Sequence, residues 1–229
     1  MKYQNKGKNL IIKIDKKNYE RIPIKTHVIT KDDKIIDVVF RYVGPHLQKN
    51  DIVFISERVV AITQGRAFPI KDIHPSNLAK FLVKFVHKSP YGIGLGSPWT
   101  MELAIREAGV ARMLFAALCS AFTKPFGLRG VFYKVVGKNI NAIDGPCSYT
   151  LAPYNEYAKL GPSNPNKVAQ DVKSKIKNDC VIIDANDLGV NVLGRSDSKI
   201  SDVFCVEVFK DNPLGQASEQ TPICIVRSL

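Results

Sequence analysis

Cys180-Val181-Ile182-Ile183-Asp184-Ala185-Asn186-Asp187-Leu188-Gly189 changes character halfway along. Its first four residues are apolar and mostly β-branched, and the run is short, which suits a buried strand. The next six carry two Asp, one Asn and a closing Gly, which reads as a loop. The same alternation recurs through the C-terminal half. Ile140–Ile143 leads into Asp144-Gly145-Pro146, and Asp211-Asn212-Pro213-Leu214-Gly215-Gln216 precedes a closing strand at Ile223–Val226. Between them Asn164-Pro165 opens a helix over Asn166–Ile176. Lys199–Lys210 reads as a helix, and its Val and Phe content also suits a strand.

The N-terminal half is organised differently. Leu10–Ile14 reads as a strand, Asn18–Ile22 as a polar connection, and Ile22-Pro23-Ile24 as extended entry, because a residue before proline avoids the helical region. Thr30-Lys31-Asp32-Asp33 offers cap oxygens before a helical stripe of Ile35, Ile36, Val39, Tyr42 and Val43, which Gly44-Pro45 ends; a strand competes there. Asp51–Ser56 is a short buried strand with a turn of helix after it at Glu57–Thr63, closed by Gly65. Helices are expected at Asn77–Val86, Pro98–Ala108 and Val110–Thr123. The last is apolar nearly all round and so reads as a core helix. Val131–Val136 reads as a strand. Helices and strands mixed without strict alternation favour an α+β fold.

The 229 residues are 45% hydrophobic and 24% charged, an ordinary globular composition. The net charge of +12 favours anionic partners, and much of it sits early, as at Lys6, Lys8, Lys13, Lys16, Lys17 and Lys49. No apolar run reaches the roughly 18–20 residues that span a bilayer, and Leu10–Ile12 is too short for a secretory core. A cytoplasmic protein with no membrane partner is expected. Five scattered cysteines without a CxxC pair imply reduced, mostly buried thiols, and the four histidines form no HExxH spacing.

Three loops place oxygen donors beyond a strand or helix end: Asp144; Asp184, Asn186 and Asp187; and Asp211, Gln216 and Glu219. Mg2+ and Mn2+ take hard oxygen ligands, usually few carboxylates with water and substrate phosphate completing the shell. Each loop alone also reads as ordinary turn chemistry. Gly92-Ile93-Gly94-Leu95-Gly96 has neither the dinucleotide nor the Walker spacing, no serine stands in a nucleophile elbow, and Cys147 has no neighbour that would activate it.

At these loops the sequence resembles the coenzyme F-420 gamma-glutamyl ligases. Ile143-Asp144-Gly145-Pro146 is similar to their Gly-Val-Asp-Ala-Ser-Asn motif, and Leu160-Gly161-Pro162-Ser163-Asn164-Pro165-Asn166 to their Leu-Leu-Pro-x-Asp-Pro-Asp segment. Val181–Gly189 resembles their strand ending in Ser-Asp-Thr-Phe-Gly. Leu214-Gly215-Gln216-Ala217-Ser218-Glu219-Gln220-Thr221-Pro222 resembles their Met-Gly-Gln-Ala-x-Glu-x-x-Pro. Ile22–Ile24 and Lys49–Arg66 fit their Leu-Pro segment and strand-turn-helix unit. The stretch 67–129 shows no matching motif, so the chain resembles a bacterial branch of the family, read as a single ligase-like domain with a divergent helical centre.

The resemblance implies a ligase-like α+β fold and a ligase that uses GTP, or ATP, to phosphorylate a carboxylate, after which L-glutamate's amine forms the amide on a phosphorylated, F-420-like acceptor. It implies two Mg2+ or Mn2+ sites, with K+ as a further candidate, and a homodimer. By carry-over Asp144 binds one metal, Asn186 and Asp187 fall at a ligand pair with Asp184 beside them, and Gln216 binds the second metal. Ser56 and Gly215, Gln216, Ala217 and Glu219 fall along the nucleotide, and Arg58 and Arg66 are candidates for phosphate neutralisation. Cys147 stands where the family has Asn, and Ile62 where it has Lys. No catalytic acid or base is assigned. A different class, a basic module that holds nucleic acid or a phosphorylated metabolite without chemistry, is the alternative.

Overall fold

The computed structural model describes residues 3–86, 93–128, 130–137, 140–186 and 189–229. Eight α-helices and eight strands occur among them, in mixed order, and the fold is α+β. The chain forms two compact units. One comprises the chain up to Gly65, Tyr149–Leu151 and Pro162–Leu229; the other comprises Arg66–Ser148 and Ala152–Gly161.

The first unit is built on a mixed six-stranded sheet. Its strands are β1 (Ile11–Ile14), β2 (Lys17–Ile24), β3 (Ile52–Ser56), β6 (Asp179–Asn186), β7 (Gly189–Arg195) and β8 (Ile223–Ser228), in spatial order β1-β2-β8-β3-β6-β7. Only β3 and β6 run parallel. β3, β6 and β8 are apolar on both faces, as strands covered on both sides must be. Phe54, Val181, Ile183, Cys224 and Val226 face α8 (Asp202–Phe209), where the Phe54 and Phe209 rings lie 4.5 Å apart. Val53, Ile55, Ile182 and Ile225 alternate onto the other face and are equally buried. Helices α1 (Ile35–Val43), α2 (Glu57–Thr63) and α7 (Pro165–Ile176) complete this unit. α2 and α7 lie against β6, and α1 packs on α7.

Ile35, Val38, Val39 and Val43 are the buried stripe of α1, so the helical reading wins there over the strand. Asp33 does not cap that helix. Its carboxylate accepts from the Thr30 N–H at 2.7 Å and meets His27 Nε2 at 3.0 Å, closing the preceding turn. The Thr30 N–H, ahead of His27, holds this carboxyl below its usual range despite some burial.

The second unit packs α3 (Asn77–Leu82), α4 (Pro98–Ala108), α5 (Val110–Thr123) and α6 (Val131–Val136) beside a short pair, β4 (Ala67–Pro69) with β5 (Tyr157–Lys159). Met101, Leu103, Ala104, Met113, Val136 and Ile140 lie in its core. Ser97 and Thr100 form a reciprocal capping box at the start of α4, with Pro98 at its first position.

Four sequence expectations are corrected. Asn18–Ile22 is not a connection but the middle of β2, where Arg21 is fully buried. Val131–Val136 is a helix, bracketed by Gly130 and Gly137 at positive φ; six residues are too few to show a helical period, so β-branched content misleads. α5 is not a core helix: only Met113 and Ala116 are buried along it. Asp184 and Asn186 lie within β6, paired with Asn191 and Gly189, rather than in a loop. Tyr91, Gly92 and Asp187 lie outside the described residues.

A bulge offsets β7 against β6 between Ile182 and Ile183, and Gly194 follows it. A Cβ at Gly194 would sit 2.4 Å from the Pro165 carbonyl carbon and 2.6 Å from the Asn166 nitrogen. Both are backbone atoms at the start of α7, which cannot step aside like a flexible side chain. Gly194→Ala is therefore expected to destabilise the sheet unit by about 1–3 kcal/mol, the usual cost of overpacking. The measurement is the urea midpoint by far-ultraviolet circular dichroism, and an unchanged midpoint would contradict the packing.

Candidate active site at one end of the sheet

Strand register decides which candidates meet. Ser56, the last residue of β3, pairs with Ile183 of β6, and Ile55 pairs with Ile223, the first residue of β8. Ile24, the last residue of β2, also pairs with Ile223. The carboxyl ends of β2, β3 and β6 and the amino end of β8 thus share one edge of the sheet. The Ser56 N–H donates to the Pro222 carbonyl at 2.9 Å, tying the start of α2 to the segment before β8. Asp184 and Asn186 continue β6 past Ile183 at this same edge, and the loop carrying Gln216 leads into it through Pro222. Parallel strands commonly place ligand groups beyond their carboxyl ends.

The Gln216 loop is anchored by buried polar side chains that the sequence reading did not single out. Asn5 Nδ2 donates to the Pro213 carbonyl and to Thr221 Oγ1, both at 2.8 Å, and Thr221 Oγ1 donates to the Leu214 carbonyl at 2.7 Å. Asn212 Nδ2 donates to the Gly215 carbonyl at 2.9 Å, and the Thr26 N–H reaches the Gln220 carbonyl at 3.0 Å. Asn5, Asn212 and Thr221 are nearly inaccessible, so each bond is expensive to leave unmade. No spacing rule marks Asn5, which lies more than two hundred residues from its partners. At Gly215, φ is +81° and a Cβ would meet the Glu219 carboxylate carbon at 2.6 Å, so this position takes glycine on both counts. Glu219 turns back to accept the Ala217 N–H at 2.7 Å.

Ser56, Asp184, Asn186, Gln216 and Arg58 are half-buried, within reach of solvent yet held by the sheet. The Asn186 side-chain oxygen accepts the Gly189 N–H at 3.1 Å. Asp144 and Arg66 belong to the second unit. Asp144 forms a reciprocal backbone bridge with Lys159 (3.1 and 2.9 Å), and its Oδ1 accepts the Gly145 N–H at 2.8 Å. The bridge sets the Asp144 and Lys159 side chains on one side of the pair. Lys159 is buried, and its ammonium donates to the Ala142 carbonyl at 2.6 Å. Sequence reasoning passed over Lys159 because it stands in a short strand with no turn signal. Arg66 donates Nε to the Gly161 carbonyl at 2.7 Å and pairs with Glu107 at 3.0 Å, so its guanidinium organises its own unit.

Among the described residues no group of three His, Cys, Asp or Glu side chains is placed to hold a metal ion. Of the candidates, Asp184 brings one carboxylate to the sheet edge, and Asn186 and Gln216 bring amide oxygens. This is a hard-oxygen set poor in charge. It suits Mg2+ shared with substrate phosphates and water, and it does not make a closed all-protein cage. All five cysteines are free thiols. Burial pushes Cys205 up to about 11 and Cys224 up to about 12, which leaves them inert packing groups.

A family model described as F420-0:Gamma-glutamyl ligase matches residues 23–200. The match takes in Ser56, Arg58, Arg66, Asp144, Asp184 and Asn186, runs across the central helices, and stops short of the Gly215–Glu219 loop. A search of curated proteins finds no match to the chain. No described helix is long and apolar enough to cross a membrane. With well over half of its length matched, the chain belongs to the F420-0:gamma-glutamyl ligase family, a family of ligases.

Proposed function

We propose that this chain joins L-glutamate through a gamma-glutamyl amide bond to a phosphorylated, coenzyme F-420-like acceptor, with GTP or ATP as the activating co-substrate. The observation that carries the reading is the family match over residues 23–200, which includes the strand ends where Ser56, Asp184 and Asn186 share one edge with the Gln216 loop. A carboxylate oxygen of the acceptor attacks the γ-phosphorus and the nucleoside diphosphate leaves, giving an acyl phosphate. The glutamate amine then attacks the acyl carbon, phosphate departs and the amine proton is lost to solvent. Bound Mg2+ or Mn2+ would neutralise charge on the transferred phosphoryl group.

The residues of this chain bind and position. Asp184, Asn186 and Gln216 offer oxygens toward a divalent ion at the sheet edge, with Asp187 as a further ligand supplied by the resemblance, which also makes Asp144 a ligand of one metal. Ser56 and Gly215–Glu219 lie along the nucleotide, where Gly215 leaves room for close backbone approach. Arg58 faces phosphate charge. Arg66, the other candidate for phosphate charge, is engaged by Glu107 and Gly161 in its own unit. Pairing of two copies and K+ remain implied by the resemblance.

The test is phosphate release from GTP and from ATP in Mg2+, with glutamate and an F-420-like acceptor added together and separately. Release that requires both co-substrates, with one glutamate incorporated per phosphate, supports the ligase. Release indifferent to glutamate, or absent with either nucleotide, overturns it.

A further inference from the structure

The ligase reading uses nothing on the outer face of α5. Leu114, Phe115, Leu118 and Phe122 recur along one side of that helix, and Phe126 and Leu128 continue the surface past its end. All six are exposed, Phe122 by 74% and Phe126 by 82%. Soluble chains rarely leave several large apolar side chains in one run without a partner.

The sequence that carries this face is one-sided in charge. From Ala108 to Ile143 the sequence contains no Asp or Glu and five basic residues: Arg112, Lys124, Arg129, Lys134 and Lys138. Arg112, Lys124 and Lys134 are exposed. Leu and Phe on one face with Lys and Arg beside them is the pattern of a helix lying in a membrane interface, its apolar side sunk about 5–10 Å among the acyl chains. Such a helix needs no spanning length. The fourteen residues of α5 are too few to cross a bilayer but enough to lie on one.

Other occupants fit less well. A second copy meeting this face about a two-fold axis would bring Arg112, Lys124 and Lys134 toward their own copies. Nucleic acid would satisfy the charge and could stack on the three Phe rings, but it would leave Leu114, Leu118 and Leu128, half of the face, without an apolar partner. We infer that the α5 face, with the turn through Phe126 and Leu128, docks onto an anionic lipid surface.

The test is flotation of the full chain with vesicles of phosphatidylcholine alone and of phosphatidylcholine containing phosphatidylglycerol, at low and high salt. Binding to the anionic vesicles is expected to be at least about tenfold stronger and to weaken with salt. The double variants Phe122→Ser/Phe126→Ser and Lys124→Glu/Lys134→Glu should each reduce it about tenfold or more. These side chains are so exposed that both variants should keep the fold, and Phe115→Ser supplies an independent third. Failure of the wild type to float, or variants that float like wild type, overturns the assignment. So does a lipid-free dimer that Phe122→Ser/Phe126→Ser converts to monomer, because the face would then be a subunit contact. Phosphate release in solution tests the ligase separately, so either reading can fail alone.

Discussion

Asp184→Ala is expected to lower glutamate-dependent phosphate release by about 10²–10³-fold, because it removes a carboxylate that β6 carries out to the sheet edge. A divalent ion that neutralises a transferring phosphoryl group contributes several kcal/mol to the barrier, and each ~1.4 kcal/mol is tenfold in rate. Asn186 and Gln216 are neutral, so within the proposed set of Asp184, Asn186 and Gln216 the negative charge that draws the ion rests on Asp184. Asp184→Asn separates charge from shape. It keeps an oxygen at the same place and should still lose most of the activity, with partial recovery at raised Mg2+. Asp144→Ala, whose ligand role rests on the resemblance, is expected to lose a comparable factor. Full activity in Asp184→Asn, with an unchanged Mg2+ requirement, would remove the metal from the proposal.

The second large effect concerns folding. Asp211→Ala should destabilise the sheet unit by about 3 kcal/mol, the lower end of the roughly 3–5 kcal/mol seen when a buried ion pair loses one partner. Arg21 is fully buried in β2. Its guanidinium donates to the Val208 carbonyl at 3.0 Å, to the Asn9 carbonyl, and through both terminal nitrogens to the Asp211 carboxylate. Without Asp211 that cation stays buried against carbonyls alone. Asp211 is itself 30% exposed, which keeps the figure at the low end. Arg21→Met/Asp211→Ala should cost less than the two single variants added together. The same pair gives a pH signature. Burial raises the Asp211 carboxyl, but its bonds to Arg21 outweigh that and hold it below its ordinary value of 3.8. The folded form thus binds its proton less readily than the unfolded form. The stabilisation is complete above the unfolded value and disappears as pH falls through the lower folded one. Urea midpoints should fall faster below about pH 4 in wild type than in Asp211→Asn. Circular dichroism is the suitable probe, since the single tryptophan, Trp99, reports the other unit.

Much of the sheet was legible because strands buried on both faces read as short apolar runs. Asp51–Ser56, Cys180–Ile183 and Ile223–Val226 are β3, β6 and β8 within a residue or a few. β2 and β7 were not read, because polar residues alternate along them and Arg21 looks like a surface residue until its carboxylate arrives from position 211. The helices with caps or prolines, α4 and α7, were placed correctly. α5 was located but its environment was misjudged: composition cannot tell a helix buried all round from one whose apolar face meets something outside the chain. At the site, Ser56, Asp184 and Asn186 were named from sequence, and the register puts them at one end of the sheet; Gln216 was named too and lies in the loop before β8. Asn5, Asn212 and Thr221 were missed as the loop's anchors, because side-chain bonds between distant positions leave no local pattern.

The middle position of β8 sets the order of assembly. β2 and β3 never touch as neighbours; the strand between them is made from residues about 170 positions beyond β3. While the ribosome is still adding Asp202–Phe209, the nascent chain can hold only two half-sheets, each with a bare edge of unsatisfied amides. Insertion of Ile223–Ser228 satisfies both edges at once, so commitment to the native sheet waits for this segment and is slow to nucleate, as such long-range pairing requires.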